Sequence, residues 1–143
     1  MDKLESIESR LDKLEKVHRK RNLPWKAAIP PKLICHDIVT AYDGNQFNTF
    51  EYEMQRLSEF YGIPVMDNRT NAKKVPAKAI ACYYSMERTA YYKKSTTALN
   101  VLLHEFFHHL HAEGVVFIYS NENEEKCADS FAQIVINRGL ESL

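Results

Sequence analysis

The strongest constraint on the fold is a helical pattern of apolar residues between Ser95 and Glu113. Leucine and phenylalanine recur there at spacings of one, three and four residues, at Leu99, Leu102, Leu103, Phe106, Phe107 and Leu110. This pattern predicts an amphipathic helix that is capped by Ser95 or Thr96 and ended by Gly114. The chain has 143 residues, so one small globular domain is the default into which this helix packs.

The segments around this helix predict an α+β fold. Lys78–Tyr84 and Arg88–Lys93 contain tyrosines and β-branched residues and are separated by three residues, which predicts a β-hairpin directly before the helix. Other helices are predicted over Leu33–Tyr42, Phe50–Tyr61 and about Asn123 to Asn137. We therefore expect a short antiparallel sheet packed on the central helix and on a C-terminal helix, with an N-terminal amphipathic helix.

Capping and turn residues predict where these elements begin and end. Thr49 is expected to cap the second of the three other helices and Gly62 to end it, while Gly139 is expected to end the last one. The stretch Asp67–Ala77 is polar and basic and contains Pro76. It is predicted to be a loop.

Residues 1–21 are predicted to be a separate N-terminal helix. An apolar stripe with 3-4-3 spacing runs along it between Glu and Lys residues, at Leu4, Ile7, Leu11 and Leu14. The stripe is about two to three heptads long, and through residues 2–18 it could pair with a second copy of the chain or dock on the rest of the molecule. Residues 22–32 contain three prolines and predict a semi-rigid connector to a domain over residues 33–143.

Composition excludes several classes of protein. The 19 Lys and Arg balance 19 Asp and Glu, so no net charge draws the chain to nucleic acid or to an acidic membrane surface. No apolar run approaches the roughly 20 residues of a membrane span, and the charged N-terminus lacks the apolar core of a secretory signal. Three cysteines without a Cys-x-x-Cys pair exclude a disulfide-stapled scaffold and fit a reducing, cytoplasmic setting.

The chemistry-bearing motif is His104-Glu105-Phe106-Phe107-His108, a His-Glu-x-x-His sequence within the central predicted helix. Positions four apart share one helix face, so His104 and His108 can direct imidazole nitrogens at one metal ion. Glu105 is turned about 100° from His104, where it can reach a water on the metal without being a ligand. Such a site suits Zn²⁺, which lowers the pKa of its water while the carboxylate takes the proton. The alternative is a histidine-rich helix face without metal.

A third ligand decides the class of metal site. No histidine follows His111, which excludes the zinc proteins that use a distant downstream histidine. His111 itself lies on nearly the same helix face as His108, and one straight helix rarely offers three ligands to one metal. A carboxylate on the last predicted helix is the better donor. The candidates are Glu122, Glu124 and Glu125, with His111 and Cys127 as weaker alternatives.

Glu125 is the preferred third ligand. Asp129 follows it by four residues on the same helix face, where a carboxylate could hydrogen-bond the second ring nitrogen of a ligating histidine. Glu122 and Glu124 instead suit an acidic first turn that complements the helix dipole. We expect His109 and His111 at the surface or behind the ligands, and Cys127 in the core.

With these two motifs the chain resembles the gluzincin metallopeptidases, and more closely the ImmA/IrrE family of small intracellular peptidases. In that family His-Glu-x-x-His is followed by Glu-x-x-Ala-Asn-x-Phe-Ala. The matching run here is Glu125-Lys126-Cys127-Ala128-Asp129-Ser130-Phe131-Ala132. The run Leu57-Ser58-Glu59-Phe60-Tyr61-Gly62-Ile63-Pro64-Val65 is similar to the family's helix-Gly-Ile-x-Val entry into its sheet. The resemblance covers about residues 46–138.

The resemblance implies Zn²⁺ on His104, His108 and Glu125, with Glu105 as general base and acid. It also implies that the chain hydrolyses peptide bonds of an intracellular protein, such as a regulator, and that an extended substrate pairs with the hairpin edge. Phe107 departs from the pattern, because the family commonly has Gly before the second histidine. Candidate oxyanion donors are the hairpin tyrosines and Tyr119, although tyrosines in a hairpin also suit sheet packing.

Two other functions stay open. The chain could keep the fold and the Zn²⁺ but cleave little, as a regulatory or interaction protein that the metal stabilises. It could instead be a metal-free assembly component that associates through a coiled coil of residues 2–18. The intact Glu105 favours the peptidase, since a purely structural metal site would not need it.

Overall fold

The computed structural model describes residues 22–42, 50–95 and 97–141. Within these ranges the chain forms four α-helices, numbered α1 to α4, at Lys32–Ala41, Glu51–Tyr61, Leu99–Ala112 and Glu124–Leu140. The same ranges contain five short strands, β1 to β5, at Leu23–Pro24, Asp67–Thr70, Ala81–Tyr84, Thr89–Tyr92 and Val116–Phe117. The predicted α+β class is confirmed. The predicted helix of residues 2–21 and the predicted caps Thr49 and Thr96 lie outside the described residues.

The predicted hairpin before α3 is present, but its sheet is mixed rather than antiparallel. β3 pairs antiparallel with β4, with Tyr83 opposite Ala90. β2 pairs in parallel with β4, which gives the strand order β2-β4-β3. The loop prediction for Asp67–Ala77 is therefore wrong where β2 and the short 3-10 helix Ala72–Lys74 form. The side chains of β2 are mostly exposed, so backbone pairing holds this strand and no apolar alternation marks it in the sequence.

The segment predicted as a connector, residues 22–32, is packed into the fold. β1 pairs in parallel with β5, with Leu23 opposite Val116. A short 3-10 helix follows β1 and buries Trp25, whose ring meets the ring of Phe107 edge-on at 5.8 Å. Proline content predicts a stiff backbone, but it carries no information on this long-range pairing.

The C-terminal ends of α2 and α3 lie where the predicted stop signals place them, whereas the start of α3 does not lie where it is predicted. Gly62 follows α2 directly and has a positive φ of 66°. Gly114 follows Glu113, the C-terminal capping residue of α3, and has a positive φ of 78°. The start of α3 differs, because the helix begins at Leu99 after Ala98 and Ser95 lies outside it. The cap prediction for Ser95 is wrong, and no side-chain hydrogen bond caps this end of α3.

Gly139 does not end α4 but lies within it, because α4 continues to Leu140. A Cβ atom at this position would be 2.4 Å from the carbonyl oxygen of Cys35 and 2.5 Å from Cγ2 of Val39, both on α1. The missing side chain therefore allows α1 and α4 to approach closely. The prediction of a terminating glycine is wrong because the glycine is required by packing between helices.

The core is built around α3. Its apolar face is fully buried at Leu102, Leu103, Phe106, Phe107 and Leu110. α3 contacts both α4 and β3, while α1 contacts α4 and α2. None of the described helices is long and apolar enough to cross a lipid bilayer. This packing leaves the other face of α3, with His104 and His108, turned toward the cleft between α4 and β3.

Candidate metal centre

The two histidines of the motif lie one helical turn apart on α3 and face each other. The Nε2 atoms of His104 and His108 are 3.2 Å apart, and the ring centroids are 5.0 Å apart. Both side chains are mostly buried, at 18% and 13% exposure. The predicted effect of the motif spacing is therefore present, because the helical period directs two imidazole nitrogens at one point.

Glu125 reaches the same point from the first turn of α4. Its Oε2 atom is 2.6 Å from Nε2 of His104 and 3.2 Å from Nε2 of His108. The ligand atoms of these three residues, the ligand trio, lie within 4.8 Å of one another, and the group could hold a metal ion. The structure thus brings together the three side chains that the sequence analysis selected as ligands.

The spacing of the ligand trio fits a tetrahedral metal. Bonds of about 2.0–2.2 Å to zinc place neighbouring ligand atoms about 3.4 Å apart in tetrahedral geometry. Two of the three separations are close to this value at 3.2 Å. The third, between Nε2 of His104 and Oε2 of Glu125, is shorter at 2.6 Å and would widen on metal binding.

Each histidine of the ligand trio has a carboxylate on its other ring nitrogen. Oδ1 of Asp129 is 2.7 Å from Nδ1 of His104, which is the contact that the sequence analysis expected of Asp129. Oε2 of Glu124 accepts a hydrogen bond from Nδ1 of His108. With the proton on Nδ1, the Nε2 lone pair of each ring faces the shared point, as a metal ligand requires.

The contact of Glu124 with Nδ1 of His108 is not among the sequence predictions, which give Glu124 as a weaker candidate ligand or as part of an acidic first turn. A signal was available in the spacing. Two histidines one turn apart on α3 need two acceptors at a similar separation on the facing helix, and Glu124 and Asp129 are five residues apart on α4. Whether these two carboxylates reach the two rings depends on the direction in which α4 crosses α3, and local sequence does not determine that direction.

Glu105 lies beside the ligand trio without joining it. The residue is buried, at 5% exposure, and lines the cavity with His104 and His108. Burial raises the pKa of its carboxyl group above the ordinary value, and the nearby histidines only partly offset this. A buried carboxylate with a raised pKa suits proton transfer.

The site opens into a cleft of about 870 Å³. One wall is β3 with the residues before it, among them Ile80, which is 67% exposed. The other walls are α3 and the first turns of α4, which contribute the histidines and carboxylates. No lysine or arginine among the described residues lines the cleft, so its charged side chains are acidic.

The remaining predicted ligands lie outside the ligand trio. Nδ1 of His111 is 2.8 Å from Oε1 of Glu124. Glu122 accepts hydrogen bonds from the indole nitrogen of Trp25 at 3.1 Å and from the backbone nitrogen of Tyr119 at 3.0 Å. Cys127 is buried, with its thiol 3.8 Å from Glu122. Glu122 therefore joins Trp25 to the residues just before α4, and Cys127 lies buried beside it.

His109 lies on the opposite face of α3 and is fully buried, with Pro64 and Tyr83 as its hydrogen-bond partners, so the expectation that it lies at the surface or behind the ligands is wrong. Its Nε2 donates to the carbonyl oxygen of Pro64 at 2.7 Å, and the hydroxyl of Tyr83 donates to its Nδ1 at 2.6 Å. The Tyr83 hydroxyl, one of the candidate oxyanion donors, is thus engaged in holding β3 to α3.

Comparisons of the chain with protein-family models, with curated proteins and with solved structures found no match. The chemistry of the site follows from its donors, which are two imidazole nitrogens and one carboxylate oxygen. Imidazole suits zinc, copper, iron and nickel, whereas sites for calcium and magnesium are built from oxygen ligands. Two histidines and one glutamate are also the protein ligands of one class of catalytic zinc site.

Proposed function

We propose that the protein is a zinc-dependent metallopeptidase of the gluzincin type that hydrolyses peptide bonds of an intracellular protein. The observation that carries the proposal is the convergence of His104, His108 and Glu125 beside Glu105, a buried carboxylate that is not one of the three. Structural zinc sites use four protein ligands, whereas catalytic sites use three and leave a position open. Among the described residues three side chains converge, which supports a catalytic site.

The chemistry that zinc supplies at such a site is Lewis acidity, which makes water nucleophilic near neutral pH and polarises a carbonyl group. Glu105 accepts the proton of the attacking water and then donates it to the leaving amine. Its burial supports this role, because burial raises the pKa of the carboxyl group above its ordinary value. Asp129 and Glu124 hold the two histidine rings with Nε2 toward the site.

The cleft supports an extended peptide as the substrate. β3 pairs with β4 on one side, and its residues Ala81, Cys82 and Tyr83 line the cleft. An extended chain beside β3 would gain backbone hydrogen bonds that do not depend on its side chains. Such a peptide would lie in the cleft that His104, Glu105 and His108 also line.

The decisive experiment measures zinc per chain together with cleavage of an unfolded protein. We expect about one zinc per wild-type chain, since the site has one set of three ligands, and loss of that zinc in His108→Ala. His36→Ala is the matched control, because His36 lies on α1 and its Nδ1 faces the carbonyl oxygen of Gly139. If the wild-type protein binds no zinc after reconstitution, the proposal is wrong.

A second candidate is a regulatory or interaction protein that keeps zinc for stability. The ligand trio joins α3 to α4, so a metal there would stabilise the contact between two core helices. Glu105→Gln separates the two candidates because it removes the proton acceptor and leaves the ligands in place. A peptidase loses cleavage in this variant, whereas a zinc-stabilised binding protein keeps its function.

A further inference from the structure

Glu124 is held by two histidines of α3 at the same time. Its Oε2 accepts from Nδ1 of His108, and its Oε1 is 2.8 Å from Nδ1 of His111. His111 follows His108 by three residues, so both rings project from the same face of α3. Glu124 and His111 are about equally exposed, at 37% and 40% of their side chains. This pair therefore lies at the rim of the cleft, next to the Nδ1 side of the His108 ring.

The second anchor solves a problem that Asp129 does not have. A glutamate side chain has three rotatable bonds and an aspartate two, so Glu124 loses more rotamer freedom than Asp129 when it holds a ring. A second contact from the facing helix, between Nδ1 of His111 and Oε1 of Glu124 at 2.8 Å, restricts the carboxylate to the orientation that His108 needs.

We propose that His111 is a positioning residue that acts through Glu124 to fix the ring of His108 and so strengthens zinc binding. The inference rests on the zinc site of the proposed function. His111 is not a ligand in this account, because its Nδ1 faces Glu124 and it lies outside the ligand trio. Its effect on zinc binding depends on the carboxylate of Glu124, so removing His111 should matter only when Glu124 is present.

The test is a double-mutant cycle read by the zinc dissociation constant, measured in competition with a chelator. Glu124→Ala is expected to weaken zinc binding about tenfold to a hundredfold, the usual effect of losing a partner of a metal-bound histidine. His111→Ala is expected to weaken it by about threefold to tenfold, since it loosens Glu124 without removing it. In the Glu124→Ala background, His111→Ala should cause no further loss.

Two further variants make the cycle sharper. His111→Gln keeps a side-chain N–H that can reach Glu124, so it should recover most of the zinc affinity that His111→Ala loses. His36→Ala removes a histidine of α1 outside the cleft and should leave the zinc dissociation constant unchanged. A general effect of removing a histidine would lower the affinity in this control as well.

The outcomes separate this inference from the peptidase proposal. If His111→Ala weakens zinc binding equally with and without Glu124, or does not weaken it at all, the inference is overturned even in an active peptidase. If the cycle behaves as expected but no peptide is cleaved, the inference stands and the peptidase fails. If the wild-type chain binds no zinc, both are overturned.

Discussion

The two faces of α3 use histidine in opposite ways, and the neighbours His108 and His109 show the difference. His108 faces Glu124 and Glu125 from α4 in a cleft, while His109 is fully buried between the hydroxyl of Tyr83 and a backbone carbonyl. Consecutive helical residues differ in direction by about 100°, so adjacent side chains enter different environments. The environment, and not the residue type, decides which histidine can serve a metal.

The electrostatics of the two rings follow the same division. Burial lowers the pKa of His108, but the hydrogen bond to Glu124 and the charges of the surrounding carboxylates outweigh burial and raise it overall. Burial also lowers the pKa of His109, and the carbonyl oxygen of Pro64 offsets this only in part, so the pKa remains below its ordinary value. The cleft face of α3 is therefore a polar, acidic site, and the other face is part of the core.

The largest effect is expected on the cleft face, at Glu105. Glu105→Gln should lower peptide cleavage by about a hundredfold to ten-thousandfold, because it removes the group that transfers protons. Zinc content should stay at the wild-type value, since Glu105 is not a ligand. Rates of cleavage and zinc per chain are measured on the same sample. Undiminished cleavage in this variant would contradict the assignment of Glu105.

The next effect concerns the opposite face, where His109→Leu should destabilise the fold by about 3 kcal/mol. The variant leaves the carbonyl group of Pro64 without its donor and the hydroxyl of Tyr83 without its acceptor. Urea unfolding in the presence of a chelator measures the free energy of unfolding without a contribution from metal. The folded variant should bind as much zinc as the wild type, and loss of zinc affinity without loss of stability would break the distinction between the faces.

A smaller effect on zinc is expected at Asp129, on the cleft side. Asp129→Ala should weaken zinc binding about tenfold to a hundredfold, since the ring of His104 loses the acceptor that orients it. Asp129→Asn keeps an oxygen acceptor, so its zinc affinity should lie between those of the wild type and Asp129→Ala. Asp67→Ala is the matched control, because Asp67 is an exposed carboxylate on β2, at the other edge of the sheet from β3. Equal zinc affinity in all four proteins would remove Asp129 from the site.

The smallest effect is expected at Tyr83, which joins the two regions. Tyr83→Phe should lower the free energy of unfolding by about 1 kcal/mol, because Nδ1 of His109 loses its hydrogen-bond donor. Tyr119→Phe, at a ring that is 55% exposed, should change it little. Urea titrations of both variants provide the comparison. An equal shift in the two would show that the Tyr83 hydroxyl contributes nothing specific to the buried face.

Local patterns were enough to predict much of this architecture and part of the candidate site. The apolar period placed α3, the tyrosine-containing runs placed β3 and β4, and the i, i+4 spacing put His104 and His108 on one face. Each of these features depends on residues within a few positions of each other. The failed predictions for the loop at β2 and for a terminating Gly139 concern contacts between distant segments, whereas the failed cap at Ser95 is a local error.

By itself the sequence determined the helix that carries the motif and the orientation of two imidazoles, because a 3.6-residue period is set by nearest neighbours along the chain. Only the tertiary structure decided which carboxylates of α4 meet which ring nitrogens, and that His109 turns into the core. It also decided that Gly139 lies inside a helix and that Trp25 is buried. These features depend on how α3 and α4 cross and on which distant segments pack together, and no local period contains that information.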